Sequence, residues 1–271
     1  MFDADKKSLA KMAPKLQRVL IADPQPASAR VISDIMRDNL SSRVWLAEST
    51  DRALKLAETC EPQIIFTELS AGAVDGLEFT KKLRRSRYRS RMTPVIMVTS
   101  TATAAAILAA RDAGVHEFLR KPFNMKDLTR RLEAVALRER DWVEAMGYVG
   151  PDRRRFNSGD YKGPRKRQND APENPQEARI TQALKILRSA IAGCEKDPEQ
   201  AMRSLLAQAS TIQQAATELK DLKLTMAAAT FHRQLAALAH GHTALDKGQL
   251  ERWAGPLLAL LPKGDGERRA A

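Results

Sequence analysis

With 271 residues the chain is long enough for two domains of ordinary size, and a hydrophobic content of 43% supplies cores for both. A net charge of +12 favours an acidic partner: nucleic acid, a phosphorylated ligand or an anionic protein surface. Cys60 and Cys194 lack CxxC spacing, which suggests no cysteine metal site and a reducing compartment. No run approaches the roughly 20 apolar residues of a membrane span. Met1 to Lys15 is charged and has no apolar signal-peptide core, so a cytoplasmic location is expected.

Residues 1–16 are expected to be disordered. From residue 17 to 142 short apolar runs alternate with amphipathic stretches. RVLIA (Arg18–Ala22) reads as a buried strand, and Ala27–Leu40 as a helix with Val31, Ile35 and Met36 at helical spacing. RVWLA (Arg43–Ala47) is a second strand, and Ser49–Glu58 a helix with an N-cap serine. Gln63–Leu69 is the third strand, Gly76–Arg85 the third helix and Pro94–Ser100 the fourth strand. Thr103–Ala113 is an alanine-rich fourth helix, and His116–Phe123 the fifth strand and its exit. Asn124 caps a fifth helix reaching about Arg140. Such alternation predicts an α/β fold, a five-stranded parallel sheet covered on both faces. Chemistry in such sheets gathers at the C-terminal strand ends.

Residues 143–175 are rich in Gly, Pro, Arg, Asn and Asp and read as an arginine-rich linker. Residues 176–262 are rich in Ala, Leu and Gln and predict a bundle of three or four helices. Pro198 starts one helix and Pro256 is expected to interrupt the last. Leu205, Leu206, Ile212, Leu219, Leu222 and Leu224 form an apolar stripe, either bundle core or a dimer surface. His232, His240 and His242 lack a following Leu-Lys-Gly and read as surface or helix-capping residues. Residues 263–271 are expected to be a disordered tail.

VLIADPQP, IIFTEL with Asp75–Gly76 seven residues after Glu68, PVIMVTS and FLRKPF occur in the order and spacing of the bacterial response-regulator receiver family, which the first half of the chain resembles. The resemblance implies a doubly wound, flavodoxin-like sheet. It also implies a pocket of two acids after the first strand and an aspartate ending the third, which together hold magnesium. Asp23 stands at the first acid, but Pro24 replaces the second, and Glu68 replaces the phospho-accepting aspartate. Thr99 falls at the switch hydroxyl, Phe118 at the switch aromatic, and Lys121–Pro122 at the Lys-Pro pair, for which the family implies a cis peptide.

Proline supplies no carboxylate. Glutamate is one methylene longer than aspartate, which misplaces its oxygens for in-line attack. A receiver that is not phosphorylated and holds no magnesium is therefore expected. Glu68 reaching Lys121 would either imitate the phosphorylated state or form an ordinary buried ion pair.

Two basic runs remain. Lys81 to Arg91 carries seven cations and no acid, as a solvated helix end or a docking surface for an anionic partner. Arg153, Arg154 and Arg155, with Arg165, Lys166 and Arg167, offer planar forks for phosphate oxygens and guanine edges. GPDRRR after the last helix is similar to the tail of receiver-like cyclic di-GMP effectors. That resemblance makes cyclic di-GMP a candidate ligand; a plain basic linker and nucleic-acid binding are the alternatives. No complete catalytic constellation is found, so no enzymatic activity is expected. The leading expectation is a signalling adaptor that engages a protein partner through its fourth helix, fifth strand and fifth helix, or through the bundle, which also offers a surface for homodimerisation.

Overall fold

Five short apolar runs build the sheet of the computed structural model, which describes residues 3–138, 140–153, 175–241 and 245–260. β1 (Arg18–Ala22), β2 (Arg43–Ala47) and β3 (Ile64–Thr67) are followed by a two-residue ladder, β4 (Ser70–Ala71) against β5 (Val74–Asp75), then by β6 (Val95–Thr99) and β7 (Glu117–Arg120). The long strands pair in parallel in the order β2-β1-β3-β6-β7. The inner strands β1, β3 and β6 are buried almost throughout, as strands covered on both faces must be. The edge strand β2 exposes Arg43 and Leu46.

Helices α2 (Pro26–Leu40), α3 (Thr50–Cys60), α4 (Gly76–Arg85), α5 (Ala104–Ala113) and α6 (Met125–Ala136) alternate with the strands. Side-chain caps from Ser49, Asp75, Thr103 and Asn124 start four of them by satisfying first-turn N–H groups. One sheet face packs Ile32, Met36, Phe66, Leu128 and Leu132; the other packs Leu20, Ile65, Phe79, Leu83 and Met97. Within α2 the inward face is Ala29, Ile32, Ser33, Met36 and Leu40. Val31, expected on that face, is 52% exposed.

Three expectations about the boundaries change. Residues 3–15, expected to be disordered, carry α1 (Asp3–Met12) and a 3-10 turn (Ala13–Lys15) before β1, and Leu9, Met12 and Leu16 are buried in the first core. Ser8 Oγ donates a hydrogen bond to Glu133 of α6. Helix α6 ends at Ala136, short of Arg140, where Lys15 Nζ donates to the Ala136 carbonyl at 3.1 Å. The expected linker begins with structure, because β8 (Trp142–Glu144) and β9 (Val149–Pro151) form a two-stranded sheet.

Contacts divide the chain into two units, Met1–Val143 with Tyr148–Asp160, and Glu144–Gly147 with Tyr161–Ala271. The second contains α7 (Pro175–Gly193), α8 (Pro198–Glu218), α9 (Leu222–His240) and α10 (Lys247–Leu258) around Leu187, Leu205, Ile212, Phe231, Leu235 and Leu250. Leu222 does not join this core and is 75% exposed. Pro256 does not interrupt α10; the helix continues to Leu258, with Leu257 fully buried. His232 is half-buried and His240 exposed at the end of α9, while His242 and the 263–271 tail lie outside the described residues.

The second unit also grips Glu144 and Ala145 with a polar ladder on α8. Gln200, Ser204 and Gln208, one turn apart, are all buried. Gln200 Nε2 donates to Glu144 Oε1 at 2.9 Å and to the Ala145 carbonyl at 3.3 Å. Ser204 Oγ and Gln208 Nε2 donate to the Glu144 carbonyl at 2.9 and 3.1 Å. Gln200→Leu is expected to cost about 2–3 kcal/mol, because the bond it removes serves a buried carboxylate. Hydrogen exchange of α8 in the full chain reads this; unchanged protection would show the ladder to be energetically idle.

Candidate functional site

The turns that leave β1, β3 and β7 bring three charged side chains together. Backbone bonds fix the frame: Asp23 N to Ala47 O at 3.1 Å, Glu68 N to Ala22 O at 2.9 Å, and Lys121 N to Thr99 O at 2.8 Å. Lys121 Nζ donates to Glu68 Oε2 at 2.7 Å, to Asp23 Oδ2 at 3.0 Å and to Ser28 Oγ at 2.6 Å. An ammonium group has three donors, and all three are used. The acids are also held from outside this triad. Glu68 Oε1 accepts from Leu69 N at 2.9 Å, Asp23 Oδ1 from Gln25 N at 2.9 Å, and Asp23 Oδ2 from Ser28 Oγ at 2.6 Å. Asp23 and Glu68 are buried, at 6% and 8% exposure. Burial alone would lower the Lys121 pKa, but its bonds to Glu68 and Asp23 outweigh that and raise it above its ordinary value.

Ser28 was not singled out in the sequence, where nothing in its local pattern marks it. Thr99 is buried at the end of β6, and its hydroxyl oxygen accepts from Thr101 N at 3.2 Å. Phe118 is half-buried against the second core. Pro24 is half-buried beside Asp23 and brings no carboxylate. The Lys121–Pro122 peptide is cis.

Gly76, the first residue of α4, sets how closely that helix approaches the end of β3. A Cβ there would lie 2.1 Å from the Glu68 carbonyl oxygen and 2.8 Å from Thr67 Oγ1. Gly76→Ala must therefore push the Glu68 segment aside, at an expected cost on the order of 1–3 kcal/mol. A lowered urea midpoint together with a displaced Leu69 amide resonance is the expected result; an unshifted midpoint would contradict it.

Residues 19–133 match the response regulator receiver domain. This stretch is a receiver domain of two-component signalling. Chemotaxis protein CheY1 of Helicobacter pylori is 29% identical over 119 residues, covering 44% of this chain and 95% of that protein. The KDP operon transcriptional regulatory protein KdpE of Escherichia coli is 33% identical over 123 residues, 45% of this chain. The chain spans about half of KdpE, 52% of its length. Among solved structures, the receiver domain of a sensor histidine kinase from Pseudomonas aeruginosa, with magnesium coordinated in its active site cleft, aligns at 27% identity and TM-score 0.41, covering 44% of this chain and 97% of that one.

The receiver pocket of this chain offers two carboxylates, Asp23 and Glu68, beside Pro24. Magnesium needs near-octahedral oxygen ligands at close range. Here two carboxylates converge on an ammonium group 2.7 and 3.0 Å away, and the neighbouring position is a proline. Among the described residues no cluster of three or more His, Cys, Asp or Glu side chains could hold a metal.

The basic runs are partly consumed by the fold. Arg84, expected at a solvated helix end or docking surface, is 1% exposed. Its Nε donates to the Gly114 carbonyl at 3.0 Å, its Nη1 to the carbonyls of Arg91 and Thr93 at 2.6 and 2.9 Å, and its Nη2 lies 3.2 Å from His116 Nδ1. Arg153 pairs with Asp112 at the end of α5, and its guanidinium carbon lies 3.8 Å from the centre of the Tyr148 ring. Arg154, Arg155, Arg165 and Arg167 lie outside the described residues.

Proposed function

We propose that the chain is a non-enzymatic signalling adaptor whose receiver domain works without phosphorylation and acts through contact with a protein partner. The observation that carries this reading is the saturated Lys121 ammonium, bonded to Glu68, Asp23 and Ser28 in the pocket where a receiver would gather metal and phosphoryl group. This internal cation bonds both buried acids and offsets one of their two negative charges. The Thr99 hydroxyl oxygen is bonded to Thr101 N and not to this network. A locked pocket is therefore favoured over one that imitates the phosphorylated state. The partner face we assign is the fourth receiver helix α5, the edge strand β7 and α6. There Ile107 and Leu108 are exposed at 44% and 48% and offer apolar contact area.

Titration with beryllofluoride and magnesium, followed by amide NMR of the full chain, tests the locked pocket. The wild-type resonances of Asp23, Glu68 and Thr99 are expected to stay in place. The double variant Pro24→Asp/Glu68→Asp restores both missing acids and is expected to gain a saturable response. A saturable wild-type response at Glu68 would remove the proposal.

A further inference from the structure

A cleft of about 490 Å3 opens at the N-terminal ends of the strands, the opposite end of the sheet from Lys121. Its cations come from three separate elements: Lys15 from the N-terminal 3-10 turn, Arg18 from the start of β1, and Arg89 from the 3-10 turn Arg89–Met92. Glu61 is the one acid in the lining, so three cations and one carboxylate leave a net charge of +2. The cations are only partly engaged. Lys15 Nζ donates to the Ala136 carbonyl at 3.1 Å and Arg18 Nε to the Glu61 carbonyl at 2.8 Å. Arg89 reaches the Glu61 carboxylate at 3.4 Å with its side chain 86% exposed, a loose surface pair. Gln63 Oε1 accepts from the backbone N–H groups of Gln17 and Arg18 at 2.9 and 3.1 Å, which leaves its Nε2 as a further donor. Leu16, Pro62, Pro94 and Val135 supply apolar wall. Pro14, Lys15 and Leu16 precede the receiver match, so only that part of the lining comes from the N-terminal segment.

We propose that this cleft binds a phosphorylated small molecule of mononucleotide size. A phosphomonoester carries about −1.5 to −2 charge near neutral pH, which balances the +2 of the lining. Arg18 and Arg89 supply forked donors for its oxygens, with Lys15 as a point charge. The volume lies within the roughly 300–1,000 Å3 range of small-molecule sites, and the proline and aliphatic walls receive the organic body. This site stands apart from the Lys121 pocket and does not depend on its state.

Amide NMR of the isotope-labelled full chain with adenosine and guanosine monophosphates tests it, with inorganic phosphate and adenosine as comparison probes. Saturable shifts are expected at Leu16, Gln63 and Val95 with either mononucleotide, weaker ones with inorganic phosphate and none with adenosine. Arg18→Ala/Arg89→Ala should weaken mononucleotide binding about tenfold or more, the loss of one or two charge-assisted bonds. Lys81→Ala/Lys82→Ala, which removes two exposed cations of α4 outside the cleft, should leave it unchanged. No saturable response to the mononucleotides overturns the proposal. So does equal affinity for inorganic phosphate or adenosine, or an equal loss in the α4 variant, which would mean diffuse attraction to a basic surface.

Discussion

Lys121→Met is expected to destabilise the receiver unit by about 3–5 kcal/mol, because it leaves two buried carboxylates without their cation. Glu68 and Asp23 are 8% and 6% exposed, and both lose a short bond to Nζ. Adding Glu68→Gln to Lys121→Met removes one of the stranded charges and should recover part of the loss. Urea unfolding followed at the receiver unit measures all three proteins. A single-variant loss below that of an exposed ion pair, under about 1 kcal/mol, would contradict the network's role.

The same network predicts an alkaline limit. A lysine whose folded pKa is raised above its ordinary value of 10.5 contributes stability that is fully present below 10.5. That contribution is lost as pH rises through the folded value. Wild-type stability should therefore fall more steeply above pH 10.5 than that of the Met variant, and parallel curves would sink the assignment.

Arg84→Met is the second large effect, expected at roughly 3–5 kcal/mol from the buried acceptors it strands. Three backbone carbonyls, those of Gly114, Arg91 and Thr93, receive donors from this one guanidinium. Desolvation pushes the Arg84 pKa down to about 9, which still leaves the group charged at neutral pH. The Trp142 ring lies 5.3 Å from its guanidinium carbon, and a Cβ on Gly114 would come within 2.7 Å of the Val149 carbonyl, so the post-helix segment is seated on the same turn. Arg84→Met should shift Trp142 emission and strip protection from the Val149 amide. Arg84→Lys should rescue little, since a point charge cannot replace a planar fork. Retained protection in both variants would show that the arginine is not what seats this segment.

The receiver sheet was legible because buried parallel strands are nearly continuous apolar runs; RVLIA and RVWLA coincide with β1 and β2. The caps were legible because Ser49 and Asn124 stand immediately before amphipathic stretches. The inward face of α2 was misjudged by one residue: Val31 and Ile32 are equally apolar, and only packing against the sheet separates them. Helix α1 escaped notice because DADKKSLAKM carries few apolar residues, yet Leu9 and Met12 suffice once α6 is there to receive them. The β8–β9 hairpin lies in a Gly- and Arg-rich stretch that looks like linker; Tyr148 and Val149 are nevertheless buried, with the Val149 carbonyl close against Gly114.

At the pocket, Glu68, Asp23 and Lys121 were found through the family spacing. Ser28 was not, since its role exists only where the first turn of α2 meets the end of β7 in space. Arg84 was hidden inside a run of seven cations, and no local rule says which of them turns inward.

Intact-mass measurement of the full chain after incubation with acetyl phosphate and magnesium bears most directly on the locked pocket. An unshifted wild-type mass is expected, with a phosphoryl adduct gained by the Pro24→Asp/Glu68→Asp variant. A wild-type adduct of one phosphoryl group mapping to Glu68 would contradict the locked pocket.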